Sequence, residues 1–328
     1  NVWEGVEVGL PQDKPATEKQ HIAVVGAGPG GLEAARVAAE RGHKVTVLEK
    51  SDKLAGLLTM AQVLNANIEP LVSYWNEIIK QYPNIEIKLN TKVDVNTLKA
   101  LNPDQVIVSP GGGIIPIDVP GIDGKNVVKS EDIKAMCNGI VPEGKGMIWK
   151  AAVAAIKAQG GTVGFMRMGL NMKSGPTAIV GKRVVVVGGG NTALEDALFL
   201  ANLCRTVYLV HRRDSFRGEK VLAEAVAQRP NIRPLFNKTV ESIHGGQSVE
   251  GAALLDTVTG ERTQLPISAV FVAIGMQPDN GLFAAAGLDE NGYIQADESC
   301  TTRLPGVFVA GDTRTKWLRQ IITAAADG

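Results

Sequence analysis

Two glycine clusters, offset by 162 residues, hold the residue types suited to gripping phosphate. Gly26, Gly28 and Gly31 sit between the apolar run HIAVV and the Ala-rich stretch LEAARVAAERG. In such a turn the first glycine permits a sharp reversal, the second lets the backbone approach a pyrophosphate, and the third lets helix and strand pack closely. The phosphates then meet the free N–H groups and positive dipole end of the helix. Glu49 closes the next apolar run, HKVTVLEK, where a carboxylate can accept hydrogen bonds from ribose hydroxyls.

The second cluster, Gly188, Gly190 and Ala193, follows KRVVVV and opens TALEDALFLANLCR. The position matching Glu49 is now His211, followed by Arg212, Arg213 and Arg217. A carboxylate there would repel a 2′-phosphate, whereas guanidinium groups bind one through charge-assisted, often bidentate, hydrogen bonds. The expected ligand of this half is NADP(H); the alternative is a plain solvated basic helix start over residues 212–220.

The elements that must position these residues repeat in order. Strand, glycine turn, helix and strand occur from His21 and again from Lys182. The same offset takes Ala35 to Ala197, and later in each half a strand ends at Gly111 or Gly275. The expected fold is α/β, with two Rossmann-like dinucleotide-binding domains, one inserted in the other. Residues 1–19 read as a linker or arm, 20–118 and 281–328 as the discontinuous first domain, 119–181 as a crossover with an insertion, and 182–280 as the inserted NADP(H) domain. Within residues 130–180, Lys150 to Gln159 reads as helix, whereas Gly160 to Gly175 mixes Met, Gly and Phe, which suits core or interdomain packing, or a docking surface for a partner.

Composition narrows the function. The 328 residues carry 34 Lys+Arg against 34 Asp+Glu, with no long basic run, so neither nucleic acid nor an anionic membrane is an expected partner. No stretch reaches the roughly 18 apolar residues of a membrane span, and the first residues lack a signal-peptide pattern, so a cytoplasmic location is expected. Cys137, Cys204 and Cys300 are far apart, as are the four histidines, so no protein-bound metal is expected.

With both loops in place, the chain resembles the two-dinucleotide-binding-domain flavoproteins from His21 to Gly328. GGGNTALEDA, HRRDSFRGEK, VFVAIGMQPDN, GVFVAGD and RQIITAAADG resemble thioredoxin reductase, but the CxxC of that family is missing, and only Cys137 lies in the corresponding interval. GLEAARVAAERGHKVTVLEKSDKLAGLL, NIEPLVSYWNEIIKQ and PGIDGKNVVKSEDI resemble instead the C-terminal region of old yellow enzyme-like flavin/iron-sulfur reductases, the group of 2,4-dienoyl-CoA reductase, 2-enoate reductase and trimethylamine dehydrogenase. Ser109 and Ala55 depart from the Ala and Gly usual at those positions.

The resemblance implies that the first domain binds FAD, through Gly26, Gly28, Pro29, Gly31, Glu49, Lys50, Gly56, Leu57, Val93 and Gly111 in its first part. Gly311 and Asp312 would meet the ribityl or pyrophosphate region, and Gln320 with Ile321 would border the isoalloxazine. The NADP set is Gly188, Gly190, Asn191, Thr192, Ala193, His211, Arg212, Arg213, Arg217, Ile274 and Gly275. Glu195 would position the nicotinamide or be only a helix-surface carboxylate; no side-chain acid or base is needed for hydride transfer.

The expected activity is that of a flavin-dependent NAD(P)H oxidoreductase module, hydride passing from NADPH to FAD. Electrons would then go to an FMN/iron-sulfur barrel domain or subunit that reduces an enoate-type substrate, FMN and cluster both lying outside this chain. A thioredoxin-reductase-like reductase of ferredoxin or another protein, without a dithiol, is the second reading. A non-catalytic nucleotide-binding scaffold is the third. A homo-oligomer is compatible with each, and segments 116–124 and 277–281 are hinge candidates. Because the sequence starts at Asn1 and stops inside the last flavin-contacting helix, it is expected to be a piece of a longer reductase, which an intact mass above that of 328 residues would support.

Overall fold

The computed structural model describes residues 15–64, 66–115, 117–122, 180–246 and 248–328, with the single positions 141, 147, 150 and 154. Cys137, most of the crossover at 119–181 and residues 1–14 of the expected arm lie outside the described residues. The chain divides into two compact units, one of residues 1–113 with 277–328 and the other of residues 114–276.

In the first unit β1 (His21–Val25), β2 (Lys44–Leu48), β3 (Ile85–Lys88), β4 (Gln105–Val108) and a late strand, Val307–Val309, form one sheet in the order Val307–Val309, β4, β1, β2, β3. All its pairings are parallel. A parallel sheet covered on both faces needs strands apolar on both sides, which explains runs such as HIAVV and KVTVL. Ile22 and Val24 join Leu32, Val45 and Trp75 on one face, packed by α1 (Pro29–Glu40) and α2 (Glu69–Ile78). Val25, Leu48 and Val108 join Phe283, Ile294 and Val309 on the other. Short helices at Leu58–Leu64 and Val95–Leu101 complete this half of the unit.

The second unit repeats the pattern. Its sheet, also parallel, runs β8 (Ala269–Val272), β5 (Arg183–Val187), β6 (Thr206–Val210), β7 (Ile232–Leu235), with α3 (Asn191–Ala201) and α4 (Lys220–Ala227) beside it. Val184 and Val186 face Leu194 and Leu209, while Val185 faces Val240 and Leu254. This alternation is the period of two along a strand. The Val185 face is covered by an antiparallel meander, Lys238–His244, Gly251–Asp256 and Arg262–Pro266. Gly112–Ile114 and Met276–Pro278 form a two-stranded sheet.

Candidate dinucleotide sites

The first glycine turn is built by close approach. Gly26 has φ +100°, and a Cβ there would lie on the carbonyl of Ser109, so a side chain is barred twice over. Gly28 differs: nothing lies within 4 Å of where its Cβ would be. It is the N-cap of α1 in extended conformation, makes no side-chain cap bond, and is followed by Pro29, which is preorganised for the first helical position. The helix at Val95–Leu101, by contrast, is closed by Asp94 and Thr97 in a capping box. The start of α1 therefore leaves N–H groups open toward the space beside Gly28, as an anion site requires.

Glu49 is buried, 7% exposed, and fixed before any ligand arrives. Its Oε2 accepts from Ala27 N at 2.8 Å, and its Oε1 accepts from Ser51 N and Ser51 Oγ at 2.8 and 2.7 Å. Each carboxylate oxygen has about two acceptor directions, so Oε2 keeps one for a ribose hydroxyl. A cavity of about 510 Å³ opens here, lined by Glu49, Lys50, Val93, Leu282, Phe283 and Asp279 among others. That volume lies within the range of small-molecule pockets. Lys50, at the rim of this cavity, pairs with Asp279 at 2.8 Å. Ala55 is held at φ +74° and donates to Ala27 O, whereas Gly56 at φ +54° lets the chain pass close to Gly28. Leu57 is exposed and Val93 half-buried. Glu49→Ala should unpair Ala27 N–H and cost about 1–3 kcal/mol of stability; a urea midpoint equal to that of the parent would show that water replaces the carboxylate freely.

At the far end of the same sheet, Val307–Val309 runs into Gly311 and Asp312. Gly311 N donates to Asp327 Oδ2 at 2.8 Å, and Gly111 O accepts from Asp279 N at 2.9 Å. Asp312 is half-exposed, with Lys316 Nζ 3.6 Å from its Oδ1. Burial raises the Asp312 pKa, and the Lys316 ammonium opposes that rise. Gln320 caps the final helix, Ile321–Asp327, and is exposed, while Ile321 packs against the core beside α1.

The second turn has the same plan. Gly188 has φ +151°, Gly190 is an extended N-cap without a side-chain cap, and nothing lies within 4 Å of a Cβ at Gly190. Ala193 is fully buried under the turn. Arg212, Arg213 and Arg217 are exposed on the loop that follows β6, and no hydrogen bond or ion pair engages their guanidinium groups among the described residues. His211 is buried, 6% exposed, with Nε2 lacking a hydrogen-bond partner among the described residues. Burial, reinforced by the charge of Arg217, pushes the His211 pKa below the ordinary imidazole range. Asn191 and Thr192 are exposed at the start of α3, Glu195 is exposed one turn on, and Ile274 and Gly275 follow β8.

Residues 20–328 match the family described as pyridine nucleotide-disulphide oxidoreductase. The chain belongs to that family. Among curated relatives of the oxidoreductase, thioredoxin reductase of Treponema pallidum (strain Nichols) is 43% identical over 147 residues, 45% of this chain and 48% of its own length. The Listeria monocytogenes thioredoxin reductase is 41% identical over 149 residues, 45% of this chain and 47% of its own. The matched stretch thus spans about half the length of these relatives. Among solved structures, Lactococcus lactis thioredoxin reductase superposes with TM-score 0.65 at 20% identity, covering 94% of this chain and 95% of that one. 2-Naphthoyl-CoA reductase superposes with TM-score 0.58 at 25% identity, covering 96% of this chain but 40% of that one. Histamine dehydrogenase from Rhizobium sp. 4-9 has the same fold relation, TM-score 0.56 at 18% identity, with 43% of its chain covered. The old yellow enzyme-like likeness therefore stands beside the thioredoxin reductase one.

Several residues of these sites escape motif reading. Asp279, Gly189, Glu219, Arg314, Lys316 and Asp327 act through partners more than ten residues away, such as Lys50 with Asp279. None of the described His, Cys, Asp and Glu residues forms a group placed to hold a metal ion. No helix among the described residues is long and apolar enough to cross a membrane.

Proposed function

We propose that this oxidoreductase is an NADPH-reducible flavin module, with FAD in the first unit and NADPH in the second. One contrast carries the reading. Two uncapped helix starts each leave room for a pyrophosphate, but one is followed by a buried carboxylate and the other by three exposed arginines. The residues of the first unit fit FAD. The turn at 26–31 would take the pyrophosphate, Glu49 a ribose hydroxyl, the cavity at Val93 and Phe283 the adenosine, Asp312 a ribityl hydroxyl, and Gln320 with Ile321 the ring edge. Bound flavin would supply hydride acceptance and onward electron delivery.

The chain's own residues then orient and select. Arg212, Arg213 and Arg217 bind the 2′-phosphate, and the turn at 188–190 with the backbone N–H groups of Asn191, Thr192 and Ala193 takes the pyrophosphate. Ile274 and Gly275 border the nucleotide, and Glu195 is placed on α3 to orient the nicotinamide amide. Lys316 beside Asp312 opposes the rise in pKa that burial causes, and the carboxylate form would accept a hydrogen bond from a ribityl hydroxyl.

The acceptor we favour takes electrons from the flavin itself. A dithiol relay needs neighbouring cysteines, and this chain has only Cys137, Cys204 and Cys300; Cys204 is buried in the second unit's core. An FMN/iron-sulfur domain or partner acting on an enoate-type substrate is supported by the coverage of 2-naphthoyl-CoA reductase, of which this chain accounts for 40%. A ferredoxin-like protein acceptor is the second reading, supported by the stronger sequence match to thioredoxin reductases without their cysteine pair. Anaerobic titration of the FAD-loaded chain should bleach the flavin at lower NADPH than NADH. A flavin that stays oxidised with both would leave a nucleotide-binding scaffold.

A further inference from the structure

The loop carrying the three arginines has no regular secondary structure between β6 and α4, so something must hold it. At its start, His211 O accepts from Lys238 N and Arg213 O accepts from Asn237 N, both at 3.0 Å. At its end, four bonds go to the second glycine turn and the first residue of α3. Arg217 N and Gly218 N both donate to Gly189 O, at 2.8 and 3.0 Å. Asn191 and Glu219 exchange two more bonds, Asn191 Nδ2 to Glu219 Oε1 and Glu219 N to Asn191 Oδ1, each at 2.8 Å.

Gly189 lies between the two fingerprint glycines, at a position where the fingerprint itself asks for none. The reason for glycine is the neighbouring ring: a Cβ at Gly189 would fall on Cε1, Nδ1 and Cγ of His211. That ring cannot swing away cheaply, being buried and packed 6.0 Å from the Phe216 ring, itself 4.7 Å from Phe236. On the loop side, a Cβ at Gly218 would meet Leu194 and Asn191. The two backbones therefore touch, and four hydrogen bonds close the contact.

We propose that Gly189 and Asn191 are positioning residues, a clasp that presents Arg212, Arg213 and Arg217 to the 2′-phosphate and thereby sets the choice of nucleotide. Asn191 on this account spends its side chain on Glu219 and meets the nucleotide through its backbone N–H alone, which alanine retains. The inference rests on the NADPH reading above. Its physical basis is preorganisation: long exposed side chains lose conformational freedom on binding, and a fixed backbone reduces that cost.

Isothermal titration of the full FAD-loaded chain with adenosine 2′,5′-bisphosphate and, separately, with 5′-AMP tests it without turnover. Asn191→Ala should weaken the bisphosphate about tenfold, the loss expected from two hydrogen bonds near 0.5–1.5 kcal/mol each, while 5′-AMP changes less than about twofold by the same reckoning. Glu219→Gln, whose amide oxygen still accepts from Asn191, should retain parent affinity, and Asn191→Ala with Glu219→Ala should be no weaker than Asn191→Ala alone. Gly189→Ala, on the turn that also takes the pyrophosphate, should weaken both probes, and the bisphosphate more than 5′-AMP. Should the turn variants fail to fold, Glu219→Ala on the exposed loop carries the test with a smaller selective loss. Equal weakening of both probes, or no weakening of either, overturns the clasp. A parent chain that binds both probes alike overturns the 2′-phosphate reading and the clasp together, whereas a selective parent with unchanged variants overturns the clasp alone.

Discussion

Replacing Arg212 and Arg213 with alanine is expected to collapse the preference for NADPH while leaving NADH nearly as it was. Hydrogen bonds to charged groups contribute about 1.5–3 kcal/mol each. One arginine is therefore worth roughly ten- to 150-fold in affinity for a phosphate it touches. NADH presents a hydroxyl at the same place and has no such bonds to lose. Because these guanidinium groups are exposed and unengaged among the described residues, salt should compete with the phosphate. Raising ionic strength should thus narrow the parent's discrimination and leave the double variant's unchanged. Titrating flavin bleaching with each nucleotide at two salt concentrations reads both effects. Equal losses for NADPH and NADH would mean that the arginines attract anions generally and do not read the 2′ position.

That expectation was open to sequence reasoning because everything it uses is local. Strand, glycine turn, helix start and the residues ending the next strand fall within one short stretch, and the offset of 162 residues brings His211 to the place of Glu49. The strands His21–Val25 and Arg183–Val187 and the helices behind them follow from apolar runs flanking glycine. What the sequence withheld is what depends on distant pairing. The meander over the second sheet comes from strands such as Arg262–Pro266, whose alternation is weak and whose partner is fixed by register. Asn191 and Glu219 are 28 residues apart, and Lys50 and Asp279 are 229 apart. Lys50, a cofactor contact by resemblance, also pairs with a carboxylate that no local pattern announces. A buried charge is the extreme case, since charged residues are ordinarily exposed and only the folded partner reveals the exception.

Asp327 is such an exception, and Asp327→Ala is expected to be the most destabilising single change in the first unit. Its carboxylate is 4% exposed and accepts from Gly311 N, Arg314 Nε and Nη2, and Lys316 Nζ, at 2.7–3.1 Å. The two cations are as deeply placed, Arg314 at 2% and Lys316 at 4%. Their other partners are poor substitutes. Glu298 is 89% exposed, where an ion pair contributes little, and Asp312 stands 3.6 Å from Lys316. Removing one member of a buried pair costs about 3–5 kcal/mol, because the remaining charge stays desolvated. Burial alone would raise the Asp327 pKa, but the bonds from Arg314, Lys316 and Gly311 outweigh it and hold the carboxyl below the usual range. The folded state therefore favours the ionised form. Its contribution is fully present above the unfolded carboxyl pKa, near 4, and is lost as pH falls through the lowered folded value. The gap between parent and Asp327→Ala in urea unfolding should accordingly be widest at neutral pH and shrink in acid. Asp327→Asn, which keeps an acceptor for Gly311 but not the charge, should fall between them. Because Gly311 leads directly into Asp312, the alanine variant should also release FAD more readily than its stability loss alone requires. A change below about 1 kcal/mol at neutral pH would mean that Asp312 takes over both cations, and that the turn at Gly311 is held by the sheet without Asp327.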